Sequence, residues 1–417
     1  MDSDRMYDVV IVGCGHSGAQ LAVALRQNEF HGSVAMVDGQ DGLPYERPPL
    51  SKDYLLGTKG AEDILIRADT YWADHDIDLH LGAAVEVVDP VGHMLRCAGG
   101  ELRYGTLVWA AGGAARRWRG PGTDLRGVHR VRDRGDVDRI AAELERTRRV
   151  CVIGGGYIGL EAAAVLRQLG KEVTLLEAAD RVLARVAGAE VAGFVEAQHR
   201  SRGVDVRTGV SVAGISGHDG AVSAVRLADG TAIPCEMVVV GIGIDPVVGP
   251  LQDAGARVEQ GLVVDAVCRT SLPDVHAIGD CAVRPNRFAR DLPTRLESVH
   301  NANDHAAIVA RHLTGRPYAQ ETVPWFWSNQ YDLRLQTVGV LTGHDRTVTR
   351  GDLASGSFSV AYLRQGCLIA LDCVNATRDF VQGRALVTGA VAPDLDLLAD
   401  PGVPLKSLAA ATAARTR

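Results

Sequence analysis

A glycine-rich turn between a buried strand and a helix occurs twice in this chain, and no other feature limits the possible folds as much. The first copy, Gly13-Cys-Gly15-His-Ser-Gly18, follows the apolar run Tyr7–Val12 and precedes a helical pattern over Gln20–Gln27. A second strand, predicted over Ser33–Val37, leads directly into Asp38. A G-x-G-x-x-G motif in this strand, helix, strand and acid context predicts dinucleotide binding.

The second copy begins 141 residues later. Gly154-Gly-Gly156-Tyr-Ile-Gly159 stands between a strand predicted over Val150–Ile153 and a helix predicted over Leu160–Leu169, and a strand over Val173–Leu176 leads into Glu177. One match could be an ordinary glycine turn. Two complete copies favour two dinucleotide-binding folds in one chain.

The acids that end the two units, Asp38 and Glu177, stand where a carboxylate can accept hydrogen bonds from an adenosine ribose. The alternative for each is an ordinary acid at a strand end or a helix N-cap. Glu177 would also repel a 2'-phosphate, and no Arg or Lys follows it until Arg181. The second fold is therefore predicted to prefer NADH over NADPH.

Further elements follow the second unit, and they predict an α/β chain with two Rossmann-like domains. Beyond Val323 the composition changes to alternating Trp, Phe, Val and Leu without a glycine-rich loop, which predicts a C-terminal α+β domain. Its tail, Leu408–Arg417, is predicted to fray. The other predicted elements are strands over Val204–Thr208, Ala221–Leu227, Glu236–Val240 and Asp274–Ile278 and a helix over Ser298–Leu313.

Composition excludes several classes of protein. A formal net charge of −7 with 23% charged residues argues against a nucleic-acid binder and against a disordered chain. The eight cysteines include no C-x-x-C, so neither a metal site nor a disulfide framework is predicted, and a reducing, cytoplasmic location is expected. The N-terminus has no signal-peptide pattern and no apolar run reaches 18 residues, so we expect neither export nor a membrane span.

Two dinucleotide folds that move electrons favour a resident FAD in the first fold and a transient nicotinamide in the second. The segment Arg47-Pro-Pro-Leu-Ser51-Lys52 predicts a stiff entry, a Ser51 cap and a new helix. Lys52 could donate a hydrogen bond near flavin N5, or it could be a solvated lysine on a surface helix. Asp280, after a predicted strand, could bind ribitol hydroxyls or cap a helix.

Two later segments could surround a flavin. The helix that opens near Ser298 could direct its positive end at flavin N1 and O2. Trp325, Phe326 and Trp327 form a cluster in a chain with 5% aromatic residues. They could wall the isoalloxazine, or they could belong to a plain core strand.

Taken together, these segments resemble the FAD-dependent ferredoxin reductases of bacterial oxygenase systems, over essentially the whole chain. The Pro-Trp-Phe-Trp segment is the most specific part of the resemblance, whereas the glycine-rich turns are common to flavoproteins with two dinucleotides. The resemblance is carried by Arg47–Lys52, Gly154–Glu161, Gly241–Gly243, Ala277–Asp280, Arg295–Val299 and Pro324–Tyr331.

The resemblance implies a glutathione-reductase-like fold with a discontinuous FAD domain (1–112 and 244–317), a NAD domain (113–243) and a C-terminal domain (318–417). It implies catalytic roles for Lys52, Glu161 and Trp327, with Glu161 near the nicotinamide. The implied FAD contacts are Ser17, Asp38, Arg47, Lys52, Val85, Arg132, Asp280, Val299 and Trp327, beside Gly13, Gly15 and Gly18. The implied NAD contacts are Gly154, Gly156, Ile158, Gly159, Glu177 and Gly243.

Three departures from the family pattern stand out: Ala111 replaces a usual Thr, Asn329 a common Asp and His300 a common Gln. None removes a group on which hydride transfer obviously depends.

The implied function is hydride transfer from NADH to FAD and single-electron transfer to a [2Fe-2S] ferredoxin, which serves an aromatic-ring dioxygenase or a cytochrome P450. The protein would be a monomer or homodimer, and arginines within 116–134 and in the third domain are candidates for docking an acidic ferredoxin. A disulfide or peroxide reductase is disfavoured, because no cysteine lies between Asp38 and Leu56. A redox-sensing protein that resembles apoptosis-inducing factor stays open, and a membrane quinone reductase lacks the expected basic C-terminal helix.

Overall fold

The computed structural model describes residues 5–317 and 321–408. The chain divides into two compact units, the first containing the described residues of 1–47, 61–114 and 245–324 and the second those of 48–60, 115–244 and 325–417. The predicted frayed tail, after Leu408, lies outside the described residues. Within the described ranges, no helix is long and apolar enough to cross a membrane.

The first unit is built on a seven-stranded sheet whose central strands are buried runs of Val, Ile and Ala. Met6–Val12 pairs in parallel with Val34–Val37 on one side and with Gly100–Trp109 on the other. Burial of parallel strands on both faces explains why Val9–Val12 and Val34–Val37 are apolar at every position rather than at alternate ones. The remaining strands of the sheet are Ile77–His80, Val85–Asp89, Met94–Cys97 and Val275–Ala277.

Two long helices of the first unit, His16–Gln27 and Val299–Leu313, pack against each other and bury their small apolar residues. A small three-stranded sheet contains Leu262–Val263, Ala282–Asn286 and Leu292–Thr294. The shorter helices are Tyr71–Asp74 and Gly249–Asp253, and the 3₁₀ turns are Glu62–Ile64, Gly279–Cys281 and Arg287–Ala289.

The second unit contains a parallel five-stranded sheet, which repeats the arrangement of the first. Arg149–Ile153 is its central strand, with Glu172–Leu176 on one side and Met237–Val240 on the other. Asp205–Arg207 and Val128–Arg130 complete the sheet. Its helices are Asp53–Leu56, Arg134–Glu143, Tyr157–Gln168 and Ala189–Ser201, and an antiparallel sheet contains Val212–His218, Ala221–Leu227 and Ala232–Pro234.

The last part of the second unit is an antiparallel sheet covered by helices, as the change in composition predicts. Thr377–Thr388 packs on this sheet, and Leu395–Ala399 packs on its edge strand Arg346–Asp352. In spatial order its strands are Trp325–Gln330, Leu333–Gly339, Cys367–Val374, Ser357–Arg364 and Arg346–Asp352. The other elements of the chain are the short strands Gly113–Ala115 and Ile244–Pro246 and the 3₁₀ turns Pro48–Ser51, Leu144–Arg146 and Leu353–Ser355.

Two details differ from the sequence predictions. Both motif helices begin earlier than predicted, at His16 and Tyr157, because the first turn of each contains a motif glycine, Gly18 or Gly159, and shows no helical periodicity. The predicted Ser51 cap is wrong: Ser51 ends a 3₁₀ turn, Lys52 stands at the N-cap position, and no side chain caps the helix.

Candidate functional site

The first glycine of each motif adopts a backbone conformation that other residues avoid, with φ of +106° at Gly13 and +110° at Gly154. The third glycine lets the helix approach the strand. A Cβ on Gly18 would lie 1.9 Å from the Gly13 carbonyl oxygen, and one on Gly159 would lie 2.0 Å from that of Gly154. No other residue fits these positions without moving the backbone.

The second glycine of each motif faces open space. At Gly156 an added Cβ would meet no atom within 4 Å, and at Gly15 the nearest atom is the Arg47 Nε at 3.7 Å. The two glycines, Gly15 and Gly156, stand at the N-cap positions of the helices His16–Gln27 and Tyr157–Gln168, and no side chain caps either helix. The backbone N–H groups at a helix N-terminus attract an anion. The chain therefore fits a dinucleotide pyrophosphate at both turns.

The two acids hold their own turns in the same way. Asp38 accepts the Cys14 N–H at 2.6 Å and the N–H two residues after itself at 2.8 Å. Glu177 accepts the Gly155 N–H at 2.6 Å and the N–H two residues after itself at 2.8 Å. Neither acid is a helix N-cap, and a carboxylate has lone pairs left for a ribose hydroxyl.

Asp280 lies beside the first motif helix. It belongs to the 3₁₀ turn Gly279–Cys281, whose N-cap is Ile278, so the predicted alternative of a helix-capping Asp280 is wrong. A Cβ on Gly279 would lie 2.6 Å from the Ser17 Oγ. The structure thus brings Ser17 and the residue before Asp280 together.

A histidine that the sequence did not reveal supports this turn. His305, fully enclosed on the helix Val299–Leu313, accepts the Gly279 N–H through Nδ1 at 3.2 Å. Burial, with the nearby Arg284 charge, lowers the pKa of His305 to about 3, so the ring stays neutral and can accept. The helix itself confirms the predicted opening at Ser298, which accepts the Asn301 N–H at 3.1 Å.

Replacing Asp280 by Ala is expected to release FAD, because the turn would keep its shape but lose the carboxylate predicted to hold the ribitol. The flavin-to-protein ratio after gel filtration should fall severalfold, and added FAD should restore it only at high concentration. Asp291→Ala, which removes an exposed carboxylate of the same unit, is the matched control. Full retention of FAD by the Asp280 variant would contradict the assignment.

Lys52 and Glu161 form a buried ion pair, with the Lys52 Nζ 2.5 Å from a Glu161 carboxylate oxygen. The Lys52 side chain is 15% exposed and that of Glu161 2%, which excludes a solvated lysine on a surface helix. Ser51 donates to the same oxygen at 2.5 Å, and Ser328 donates to the other at 2.6 Å. Three donors thus fix one carboxylate, as a buried charge requires.

The hydrogen bonds continue from Ser328 to other residues of the second unit. Gln330 donates to the Ser328 Oγ at 3.1 Å, and its amide oxygen lies 2.8 Å from the His199 Nε2. Desolvation lowers the pKa of His199, so the ring is a neutral donor here. The sequence does not predict roles for Ser328, Gln330 and His199, since nothing in their local pattern marks them.

The aromatic cluster lies on one strand, Trp325–Gln330. Trp325 and Trp327 are tilted rings 5.4 Å apart, and Phe326 lies 4.5 Å from the ring of Tyr157. All three are only half-buried, so the strand is not a plain core strand. The half-buried ring of Trp327 is compatible with its predicted flavin contact.

The other predicted NAD contacts lie near the second turn. A Cβ on Gly154 would lie 2.3 Å from the Gly241 carbonyl oxygen, and Gly243 has φ of +98° with the Arg185 guanidinium beside it. Ile158, on the first turn of the motif helix, is 43% exposed although it is apolar. An exposed isoleucine at a helix N-terminus is consistent with a ligand contact.

Two predicted FAD contacts are less closely connected to the turns. The Asp38 carbonyl accepts the Ala83 N–H at 2.7 Å, two residues before Val85. The Arg132 N–H is held by Asp136 at 3.1 Å, directly before the helix Arg134–Glu143. The roles of Val85 and Arg132 stay predictions.

The cysteines are free, and all except the half-buried Cys367 are buried. Cys14 and Cys151, the two that stand near the glycine turns, are not activated. Burial raises the pKa of both thiols, Asp38 raises that of Cys14 further, and burial also raises the pKa of Cys268 and Cys281 to about 12. A thiol with a raised pKa is a poor nucleophile at neutral pH.

Two dinucleotide folds, an anion-binding turn in each and a buried Lys–Glu pair define the class of two-dinucleotide oxidoreductases. A family model described as pyridine nucleotide-disulphide oxidoreductase matches residues 7–306, and one described as reductase C-terminal matches residues 325–409. The chain belongs to the pyridine nucleotide-disulphide oxidoreductase family.

Similar proteins indicate which group of oxidoreductases within this family the chain most resembles. The chain is 56% identical over 407 residues to a ferredoxin–NAD(P)(+) reductase from a Sphingomonas species, covering 97% of this chain and 98% of that one. It is 55% identical over 407 residues, 97% and 99% of the two chains, to the ferredoxin reductase subunit of a 5,5'-dehydrodivanillate O-demethylase from a Sphingobium species. The solved covalent putidaredoxin reductase–putidaredoxin complex matches with a TM-score of 0.94 at 37% identity, over 99% of this chain and 100% of that one. The predicted fold class and the resemblance to ferredoxin reductases are confirmed.

Proposed function

We propose that this protein takes a hydride from NADH onto FAD and passes single electrons to a [2Fe-2S] ferredoxin that serves an oxygenase. The observation that carries the proposal is the buried Ser51–Lys52–Glu161 cluster. It includes Ser51 and Lys52, which lie within the stretch 38–56 where disulfide reductases would need their cysteines, and that stretch has none. The similarity to a ferredoxin–NAD(P)(+) reductase and to the ferredoxin reductase subunit of an O-demethylase supports the same acceptor.

FAD, when bound, accepts a hydride and gives its two electrons one at a time. In our proposal the first turn binds its pyrophosphate, Asp38 the adenosine ribose and Asp280 the ribitol. Ser17, Arg47, Lys52, Val85, Arg132, Val299 and Trp327 supply the remaining FAD contacts.

In the same proposal, the second turn binds the NADH pyrophosphate and Glu177 binds the ribose. Ile158 and Gly243 line the NADH site. Lys52 and Glu161 then stand near the reacting end of the nicotinamide. Since Ser51 and Ser328 keep Glu161 in one position, the pair offers a fixed field to the transferring hydride at no cost of rearrangement.

The acceptor is proposed to dock through basic residues. The candidate surface is the set of exposed or half-buried arginines Arg116, Arg117, Arg119, Arg126, Arg130 and Arg134. Complementary charge would raise the association rate with an acidic ferredoxin and make it fall with salt. Free, mostly buried cysteines also support a reducing compartment, which we propose is the cytoplasm.

Nucleotide choice should depend on Glu177. We expect kcat/KM for NADH to exceed that for NADPH by about a hundredfold. Glu177→Gln should lower this preference for NADH about tenfold, because the amide keeps a hydrogen-bond acceptor and loses the charge. The measurement is steady-state reduction of ferricyanide with each nucleotide. Glu172→Gln, on the strand that precedes Glu177, is the control. Equal use of the two nucleotides by the unaltered protein would rule out the assignment.

The identity of the electron acceptor is tested by comparing a panel of possible acceptors. Purified protein with NADH under anaerobic conditions should reduce a [2Fe-2S] ferredoxin at least tenfold faster than a small disulfide or a quinone. Slow turnover with every acceptor would favour a redox-sensing protein instead, and fast disulfide reduction would favour a dithiol enzyme.

A further inference from the structure

Asp372 is a buried carboxyl in the C-terminal sheet that the proposed reaction does not use. It is 3% exposed, and it lies opposite Thr337 on the neighbouring strand. Thr337 donates to one carboxyl oxygen at 2.6 Å, and the Tyr362 hydroxyl donates to the other at 2.6 Å. These three side chains share one face of the sheet.

No ion pair compensates this carboxyl. Within 5–317 and 321–408, no Lys, Arg or His forms a salt bridge with Asp372, and desolvation raises its pKa to about 6. An apolar residue at position 372 would cost less free energy to bury, since two hydroxyl groups do not replace the hydration of a carboxylate. The polar cluster therefore needs a reason other than the stability of the sheet.

The cluster contacts the segment 182–188, which is hydrogen-bonded to the second glycine turn. Gly188 donates its N–H to the Tyr362 hydroxyl at 3.0 Å, and a Cβ on Gly188 would lie 2.5 Å from that oxygen. The same segment donates the Leu183 N–H to the Gly155 carbonyl, inside the turn, at 2.9 Å. The Asp372 carboxyl is therefore linked through the Tyr362 hydroxyl to the backbone segment that holds the turn.

The geometry points to Asp372 as a positioning residue for the nicotinamide dinucleotide, acting through the Tyr362 hydroxyl on the Gly188 backbone, with Thr337 holding the carboxyl in place. This inference rests on the proposed function, since it assumes that the second turn binds NADH. Asp372 has no contact with the Lys52–Glu161 pair among the described residues, so it should govern affinity for the dinucleotide and not the rate of hydride transfer.

The test is the dissociation constant of NAD⁺ for the oxidised holoenzyme, measured by isothermal titration calorimetry, beside KM and kcat for NADH. Asp372→Asn should raise the dissociation constant and KM about tenfold, because an amide cannot accept from both hydroxyl groups, while kcat and FAD content stay within twofold. Thr337→Val, in which the new side chain has nearly the same shape but no hydroxyl, should also raise the dissociation constant and KM. It replaces the Asp372 variant in the test if that variant folds poorly.

Ser359→Ala is the matched control. It removes a buried hydroxyl from the strand that carries Tyr362, where Ser359 bonds Asp379 at 3.0 Å instead of the Asp372 cluster. If the role is only structural, all three variants should melt earlier and bind NAD⁺ as the unaltered protein does, which would overturn the inference. If the unaltered protein binds no NAD⁺, the proposed function fails and this assignment fails with it.

Discussion

Replacing Glu161 by Ala should slow NADH-dependent reduction of the bound flavin about 100-fold, the size of effect seen when one fixed electrostatic group is removed from an active site. The change takes the partner from the Lys52 ammonium and the acceptor from Ser51 and Ser328. The measurement is anaerobic stopped-flow absorbance at saturating NADH, which isolates the hydride step from the release of electrons.

Two further variants distinguish the effect of the Glu161 charge from the effect of the position of its carboxylate. Glu161→Gln keeps the shape of the side chain and loses its charge, whereas Ser328→Ala keeps the charge and removes one of its three donors. We expect the first to approach the Ala variant and the second to lose about tenfold. A Glu161→Ala protein that retains FAD and is reduced within threefold of the normal rate would show that the pair is structural.

Replacing Arg350 by Met should destabilise the C-terminal sheet by about 3–5 kcal/mol, the usual result of removing one partner from a buried ion pair. The Arg350 side chain is 3% exposed, and it binds Asp379 at 2.8 Å. Its guanidinium also donates to four backbone carbonyls, those of Leu398, Asp400, Pro401 and Val403. The substitution leaves these acceptors and a carboxylate without their donor.

Denaturant unfolding followed by Trp fluorescence is the measurement, since Trp325 and Trp327 lie in this sheet. Arg346→Met, at an exposed position of the same strand, is the control and should stay within about 0.5 kcal/mol. Equal unfolding midpoints for the two variants would contradict the role given to Arg350.

Elements with local signals could be predicted from the sequence. The strand Met6–Val12 ends in four consecutive buried apolar residues, Val9–Val12, as expected of a strand buried on both faces. The first glycine of each turn is required by its own backbone geometry. The two acids, Asp38 and Glu177, follow from fixed spacing. The antiparallel sheet after Val323 was indicated by a change of composition, although its strand order was not.

The parts of the site that depend on distant contacts could not be predicted. Lys52 and Glu161 are 109 residues apart, and Ser328 lies a further 167 residues along the chain from Glu161. No periodicity or local motif links such residues; only the folded packing does. For the same reason Ser51 was taken as a helix cap, although its hydroxyl is used by a carboxylate far away in the chain. His305 and Asp372 carry no sequence signal other than residue type.

The central claim, that electrons pass from NADH through FAD to a one-electron carrier without a cysteine relay, is tested most directly by anaerobic titration. Protein and excess [2Fe-2S] ferredoxin are mixed with limiting NADH, and the flavin and iron–sulfur absorbances are followed together, with thiols counted in denatured samples before and after. We predict two ferredoxins reduced per NADH and, in samples of the protein treated with NADH without ferredoxin, eight thiols before and after, as the eight free cysteines require. Six thiols before NADH and eight after, or a reduced flavin beside unreduced ferredoxin, would contradict the account.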